Sequence, residues 1–300
     1  MKQLVELTKR NTKMFFKDKG MMFVSMITPL ILLVLYITFL GNVYRNSYSA
    51  AIPVGVVMSD ELMDGLVGSQ LFSSLLAVCT VTVAFCSNML MVQDKISGAK
   101  NDLLVSPLKK GKLAVSYYLA SFISTMIICI VATIACLIYL AVVGWYLTAF
   151  DILLIFGDVF LLVMFGTALS SIINHFLSSQ GQISAVGSIV SACYGFICGA
   201  YMPISSFGTG LQKVLMFSPG TYGTSLIRNH TMRGVFEEMA AQGIPPEVVE
   251  SFKTAIDCNI EFFGKSVSLS AMFAVMLVSV VLLVSIYVLL NVIKFKKKSK

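Results

Sequence analysis

Six long apolar stretches constrain this chain more than anything else in it: Met21–Gly41, Ser69–Val92, Leu113–Trp145, Phe150–Ile173, Ile183–Met202 and Val267–Ile293. Each supplies the roughly 20 apolar residues that a helix needs to cross about 30 Å of hydrocarbon. Lipid offers no partner to free backbone N–H and C=O groups, so segments that cross it must be helical. The expected fold is an all-α polytopic membrane protein with six transmembrane helices. Charged residues make up only 12% of the chain and hydrophobic ones 57%. A soluble domain carries about 25% charged residues, so this core must form by helices packing within lipid.

The net charge of +7 is a topological signal once its placement is read. Sixteen of the 22 cations fall on one side if the spans alternate. Lys2, Lys9, Arg10, Lys13, Lys17 and Lys19 precede the first span. Lys95, Lys100, Lys109, Lys110 and Lys112 separate the second and third. Lys294, Lys296, Lys297, Lys298 and Lys300 follow the last. The other side holds most of the acids. The positive-inside rule then places both termini in the cytoplasm of a multi-pass protein of the plasma membrane. No nucleic-acid partner is expected from such a distribution.

Residues 1–20 read as a cytoplasmic interfacial helix, with Leu4, Leu7 and Met14 or Phe15 near helical spacing among lysines. Pro29 interrupts the first span. Residues 93–112 form a cytoplasmic loop. Residues 203–266 form an external hairpin and cap, because Pro203, Gly208, Gly210, Pro219, Gly220 and Gly223 break the first part too often for a plain span. The hairpin is expected to be re-entrant or external. Residues 294–300 are a basic cytoplasmic tail.

The loop after the second span contains Asp94, Gly98 and the run Leu103-Leu104-Val105-Ser106-Pro107. After the fifth span come Gly199-Ala200-Tyr201-Met202-Pro203 and Phe217-Ser218-Pro219-Gly220-Thr221-Tyr222. Here the chain resembles the permease subunit of bacterial ABC transporters of the ABC-2 (type V exporter) family. That family has an acid and a glycine before a short amphipathic segment ending in Leu-x-x-(Ser/Thr)-Pro. Later it has a G-x-x-x-P element and a (Ser/Asn)-P-x-x-Tyr element. The resemblance assigns Asp94, Gly98, Leu104, Ser106 and Pro107 to coupling with an ATPase, and Gly199, Pro203, Pro219 and Tyr222 to the re-entrant hairpin; Leu103, Leu104, Val105 and Leu108 give the coupling segment an apolar face. An apolar helix face entering a partner's groove is a known mode of recognition. A solvated loop whose lysines bind anionic membrane lipid is the other reading of the same residues.

No G-x-x-x-x-G-K-(S/T) occurs in the sequence, so no phosphate-cradling loop is present. The resemblance therefore implies that ATP and Mg bind in a separate ABC ATPase (nucleotide-binding) subunit, and that this chain binds no cofactor and catalyses nothing. It also implies a second permease, identical or related. The substrate would be a hydrophobic or amphipathic drug, antimicrobial peptide or lipid, moved out of the cell.

The resemblance places spans two and five beside the central pathway. Phe85, Asn88, Met89, Ser191, Tyr194 and Phe196 are the pathway candidates there. Gly187, Ser191, Gly195 and Gly199 recur every fourth residue in span five, a stripe that suits close helix packing or a substrate wall. Asp158 is the clear acid inside a span, roughly 12 Å below the outer end at 1.5 Å per residue. Intramembrane carboxylates are functional candidates, and no cationic partner in another span is evident. The rival reading is thus a proton-coupled secondary transporter using Asp158. A membrane scaffold or sensor that transports nothing is the third. His175 and His230 stand alone, without companions at metal-ligand spacing, so no metal site is expected.

Overall fold

The computed structural model describes residues 1–53, 56–105 and 110–296. Its order is α1 (Lys2–Lys17), α2 (Lys19–Leu35), a π-helical turn (Tyr36–Leu40), α3 (Gly41–Ala51), α4 (Asp60–Ser87), α5 (Met89–Ile96), α6 (Ala99–Val105), α7 (Lys110–Val143), α8 (Ala149–Phe176) and α9 (Gln180–Ile197). A 3₁₀ turn at Ile204–Ser206 follows, then α10 (Thr209–Leu215), α11 (Pro219–Ala241), α12 (Pro246–Ala255), the hairpin of β1 (Glu261–Phe262) and β2 (Lys265–Ser266), and α13 (Leu269–Lys296). Among the described residues the only sheet is this two-stranded hairpin, with Glu261 opposite Ser266. The all-α polytopic expectation holds.

Five helical stretches are long and apolar enough to cross a membrane: Lys19–Ala51, Asp60–Ile96, Gly111–Val143, Ala149–Phe176 and Leu269–Ile293. The fifth expected span became α9, which is not among them. It has 18 residues, about 27 Å of helix, and Gln180, Gln182, Ser184, Ser188 and Ser191 dilute its apolar character. The first two spans are longer than their apolar stretches: the first continues as helix through Pro29 and the π turn to Ala51, and the second begins at Asp60 with Ser59 as its N-cap.

The bundle is organised around α4, in which every residue from Gly65 to Ser87 is buried. A helix that is apolar or small on all sides must be surrounded. Its partners are α2, α7, α8, α9 and α11. Hydroxyls that α4 carries inside are satisfied within the helix: Ser73, Thr80 and Thr82 donate to the carbonyls of Gln70, Ala77 and Val78. Close approach needs small residues. A Cβ at Gly166 of α8 would lie 2.8 Å from the Thr80 carbonyl oxygen of α4. α1 is amphipathic and buries Leu7, Thr8, Asn11 and Phe15, one face at helical spacing, lying along α7.

The segment after α9 differs most from expectation. Of the expected external hairpin and cap, 203–266, the part from Pro219 to Ala241 is α11, which packs among α4, α8 and α13 and buries most of its length. Small residues let it in. Gly234 sits on the carbonyl of Tyr146, where any side chain would collide.

Candidate functional site

At the end of the bundle that carries α1, one carboxylate joins three elements. Asp94 of α5 is 3% exposed. Its Oδ2 accepts hydrogen bonds from Arg10 Nη1 of α1 at 2.7 Å and from the Tyr117 hydroxyl of α7 at 2.6 Å. A buried carboxylate needs such charge-assisted partners. Beside it, Lys95 Nζ donates to the carbonyls of Asn174, His175 and Leu177 at 3.0, 2.7 and 3.1 Å, closing the C-terminus of α8 with a cation. Lys112 Nζ reaches Gln3. Arg10, Lys95 and Lys112 therefore share one end of the molecule with α1.

From this anchored helix the chain turns at Gly98, whose φ of +82° suits glycine, into the seven-residue α6. Leu103 and Leu104 are partly buried against a small core of Leu7, Met91, Leu113, Tyr117 and Tyr287. Val105 at the tip is 88% exposed. The apolar residues of α6 thus divide: two fasten it to the bundle and one projects. Ser106 and Pro107 lie outside the described residues.

Along α2 and α9 two cavities meet. A cleft of about 490 Å³ begins at Asp18, Gln93 and Gln180 on the basic end and reaches Ser191. A groove of about 540 Å³ continues from there to Tyr36, Phe196 and Tyr201. Thr28, Ser188 and Ser191 line both, so they form one path, polar at its mouth and apolar beyond. Of the pathway candidates, Met89 and Ser191 line the cleft and Phe196 the groove. Phe85, Asn88 and Tyr194 face inward. Asn88 is the break between α4 and α5, with its Nδ2 donating to Ser170 and Ser171 hydroxyls of α8 at 3.1 and 2.7 Å. Tyr194 presses its ring against Gly220 of α11. The small-residue stripe likewise splits. Gly187 and Ser191 line the cleft, Gly195 receives the ring of Tyr201, and Gly199 turns the chain at φ +74°.

Beyond that turn, Pro203 precedes the 3₁₀ turn and Pro219 takes the first position of α11, where no N–H is needed. The Tyr222 hydroxyl donates to the Met216 carbonyl at 2.8 Å, tying the start of α11 to the end of α10. The centre of this region is Arg228, wholly buried. Its Nη1 donates to the Ile256 carbonyl at 2.5 Å, and its Nη2 to the Gly199 carbonyl at 2.9 Å and to Ser74 of α4 at 3.4 Å. Asp257 lies 3.7 Å away and accepts from the backbone N–H groups of Ile204 and Ser205. One ion pair therefore holds the turn after α9, the segment after α12 and the central helix together. Burial raises the Asp257 carboxyl above the usual carboxylate range, while Arg228 and the two N–H groups oppose that shift. In the sequence Arg228 is one of the six cations outside the basic clusters and carries no motif. The signal for its role was its setting, Gly223-Thr224-Ser225-Leu226-Ile227 before it and Gly234 after it.

Asp158 also gains a partner that the sequence did not reveal. His230 Nδ1 of α11 lies 2.5 Å from its Oδ2. His230 is thus not isolated, because helical phase brings it onto α8. Seven residues towards the acidic end, Asp151 is paired with Arg233 at 2.6 Å and caps α8 with Thr148. The pairs Asp151–Arg233 and Asp158–His230 form two rungs between α8 and α11.

Cys258 sits behind Arg228, 2% exposed, and burial pushes its thiol up to about 12. The thiolate is the reactive form. A membrane-impermeant maleimide should therefore leave Cys258 unmodified in the folded protein and label it after denaturation, as read by mass spectrometry.

Compared with known proteins, residues 2–231 match the model of the family described as ABC-2 type transporter. A search of curated proteins finds no match.

Proposed function

Since the chain belongs to the ABC-2 type transporter family and is a multi-pass membrane permease of an ABC transporter, we propose that it exports a hydrophobic or amphipathic substrate, using ATP hydrolysed by a separate ABC ATPase subunit. The continuous path along α2 and α9 carries this reading. Its glutamines and Asp18 suit a polar headgroup or peptide end, and its upper walls of Ile31, Leu35 and Phe196 suit an apolar body. The path is open on one side, which a second permease would close. With both termini cytoplasmic, its mouth faces the cell interior, α9 makes the sixth crossing, and the hairpin after Gly199 roofs the outer end.

In this scheme the ATPase pushes on α6. Asp94 passes that movement to α1 through Arg10 and to α7 through Tyr117. Lys95 passes it to α8. Asn88, the joint between α4 and α5, lets the lower part tilt against the buried upper helix.

Filling the path tests the proposal. Ser191→Trp and Gly187→Phe place large rings in the cleft, where Gly187 already lies near the Met89 methyl. Transport by the reconstituted transporter should fall at least tenfold, with ATPase assembly unchanged. Unchanged transport by both variants would place the substrate elsewhere.

Asp158 separates the ATP-driven reading from a proton-coupled one. Its contact with His230 ties α8 to α11, so Asp158→Asn, which keeps a neutral amide there, should lower stability by at most about 1.5–3 kcal/mol, the range for a hydrogen bond to a charged group. ATP-driven transport should persist in the variant. Transport driven by a pH gradient alone, and abolished by this change, would support the rival.

A further inference from the structure

A second cavity lies on the opposite face of α2 from the transport path. It is a groove of about 250 Å³ between α2, α4 and α7, lined only by apolar side chains. Phe16 and Met22 stand at its basic end, Pro29, Leu33, Ala132 and Cys136 further along. From Met22 to Leu33 is about 16 Å of helix, roughly half of the about 30 Å hydrocarbon core. The groove therefore spans one leaflet and is not a passage through the membrane. Its floor is shallow-sided because Pro29, Ala132 and Cys136 are small. Its rim is formed by Leu30, Ile127 and Val131, which are 52%, 44% and 57% exposed.

The charge at the basic end supplies the rest of the site. Lys13 and Lys9 precede Phe16 by three and seven residues, on the same face of α1. Lys17 and Lys19 flank the elbow between α1 and α2, and all four lysines are exposed. The one acid in the elbow, Asp18, is engaged in capping α2 through Met21 N–H at 3.0 Å. An apolar slot one leaflet deep, headed by lysines at the membrane surface, has the chemistry of a phospholipid with an anionic headgroup. A neutral apolar solute would fit the slot but not its mouth.

We infer that this groove holds one acyl chain of an anionic phospholipid from the leaflet on the basic side, with its phosphate among Lys13, Lys17 and Lys19. The lipid wedges α2 against α7 on the face away from the transport path. It also steadies α1, whose Arg10 reaches Asp94 less than two turns before Phe16.

The test uses tryptophan fluorescence of the full chain reconstituted in vesicles. Trp145, the single tryptophan, is replaced by phenylalanine. One tryptophan is then introduced at the groove rim by Leu30→Trp, or at a lipid-facing site on α8 by Phe160→Trp. Quenching by phosphatidylglycerol brominated in its acyl chain is compared with quenching by brominated phosphatidylcholine. Each lysine near an anionic headgroup adds about 1 kcal/mol of attraction, so the groove should prefer the anionic lipid about fivefold or more. The α8 site should show no preference. Lys13→Ala, Lys17→Ala and Lys19→Ala together should abolish the preference at Leu30→Trp. Equal quenching by both lipids at the groove, or a preference that survives loss of the three lysines, would overturn the inference. All these substitutions lie on exposed positions, and retained elution volume in detergent reports that the fold is intact.

Discussion

Replacing Arg228 with methionine should destabilise the protein by about 3–5 kcal/mol, the range for breaking one side of a buried ion pair. Three acceptors lose their donors in one step: the carbonyls of Ile256 and Gly199 and the hydroxyl of Ser74. Asp257 is left as a carboxylate that is 5% exposed. Its two backbone donors remain, so Asp257→Asn alone should cost less than Arg228→Met. Stability in detergent, followed by thermal unfolding of each variant, orders them. Limited proteolysis should also show the segment 199–218 becoming cleavable first in Arg228→Met, because that turn loses its tether to α4. Equal stability of wild type and Arg228→Met would mean that packing alone holds the hairpin.

Asp94→Ala should abolish most ATP-driven transport while leaving the bundle folded. Two charged or strong hydrogen bonds converge on its Oδ2, from Arg10 and Tyr117. Hydrogen bonds to a charged group contribute about 1.5–3 kcal/mol each, so α1 and α7 would lose their link to the segment that carries α6. Transport should fall at least tenfold with the ATPase still bound. Asp94→Asn keeps an acceptor for Tyr117 but removes the charge opposite Arg10, and should fall between. Asp94 touches no cavity named above, so a change in substrate affinity with unchanged maximal rate would contradict a coupling role.

The sequence made the membrane fold legible because apolar stretches and lysine placement act locally and add up along the chain. Leu7 and Phe15 likewise announced the buried face of α1, while Leu4 is half-buried and Met14 exposed. What it concealed depends on contacts distant in sequence. α9 carries enough serine and glutamine to fall short of a plain span, because one of its faces borders a polar cleft instead of lipid. α11 looked like a surface segment, since its arginines and histidine suggest water. In the fold those side chains are turned onto Asp151, Asp158 and Asp257, and the glycines beside them permit the close approach. Pairings between residues 72 to 82 positions apart, such as His230 with Asp158 and Arg233 with Asp151, leave no periodic trace in one sequence. The coupling residues were legible only as a pattern. The structure adds that Leu103 and Leu104 face the bundle, which a helical pattern of seven residues cannot decide.

The central claim is that this permease works with an ATPase on another chain. The most direct measurement is purification of the protein from its native membrane in mild detergent, with mass spectrometry of what accompanies it. An ABC ATPase subunit should accompany it in stoichiometric amount, reduced when Leu104 and Val105 are changed to alanine and glycine. A permease recovered without any ATPase, yet still transporting in vesicles on a proton gradient alone, would contradict it.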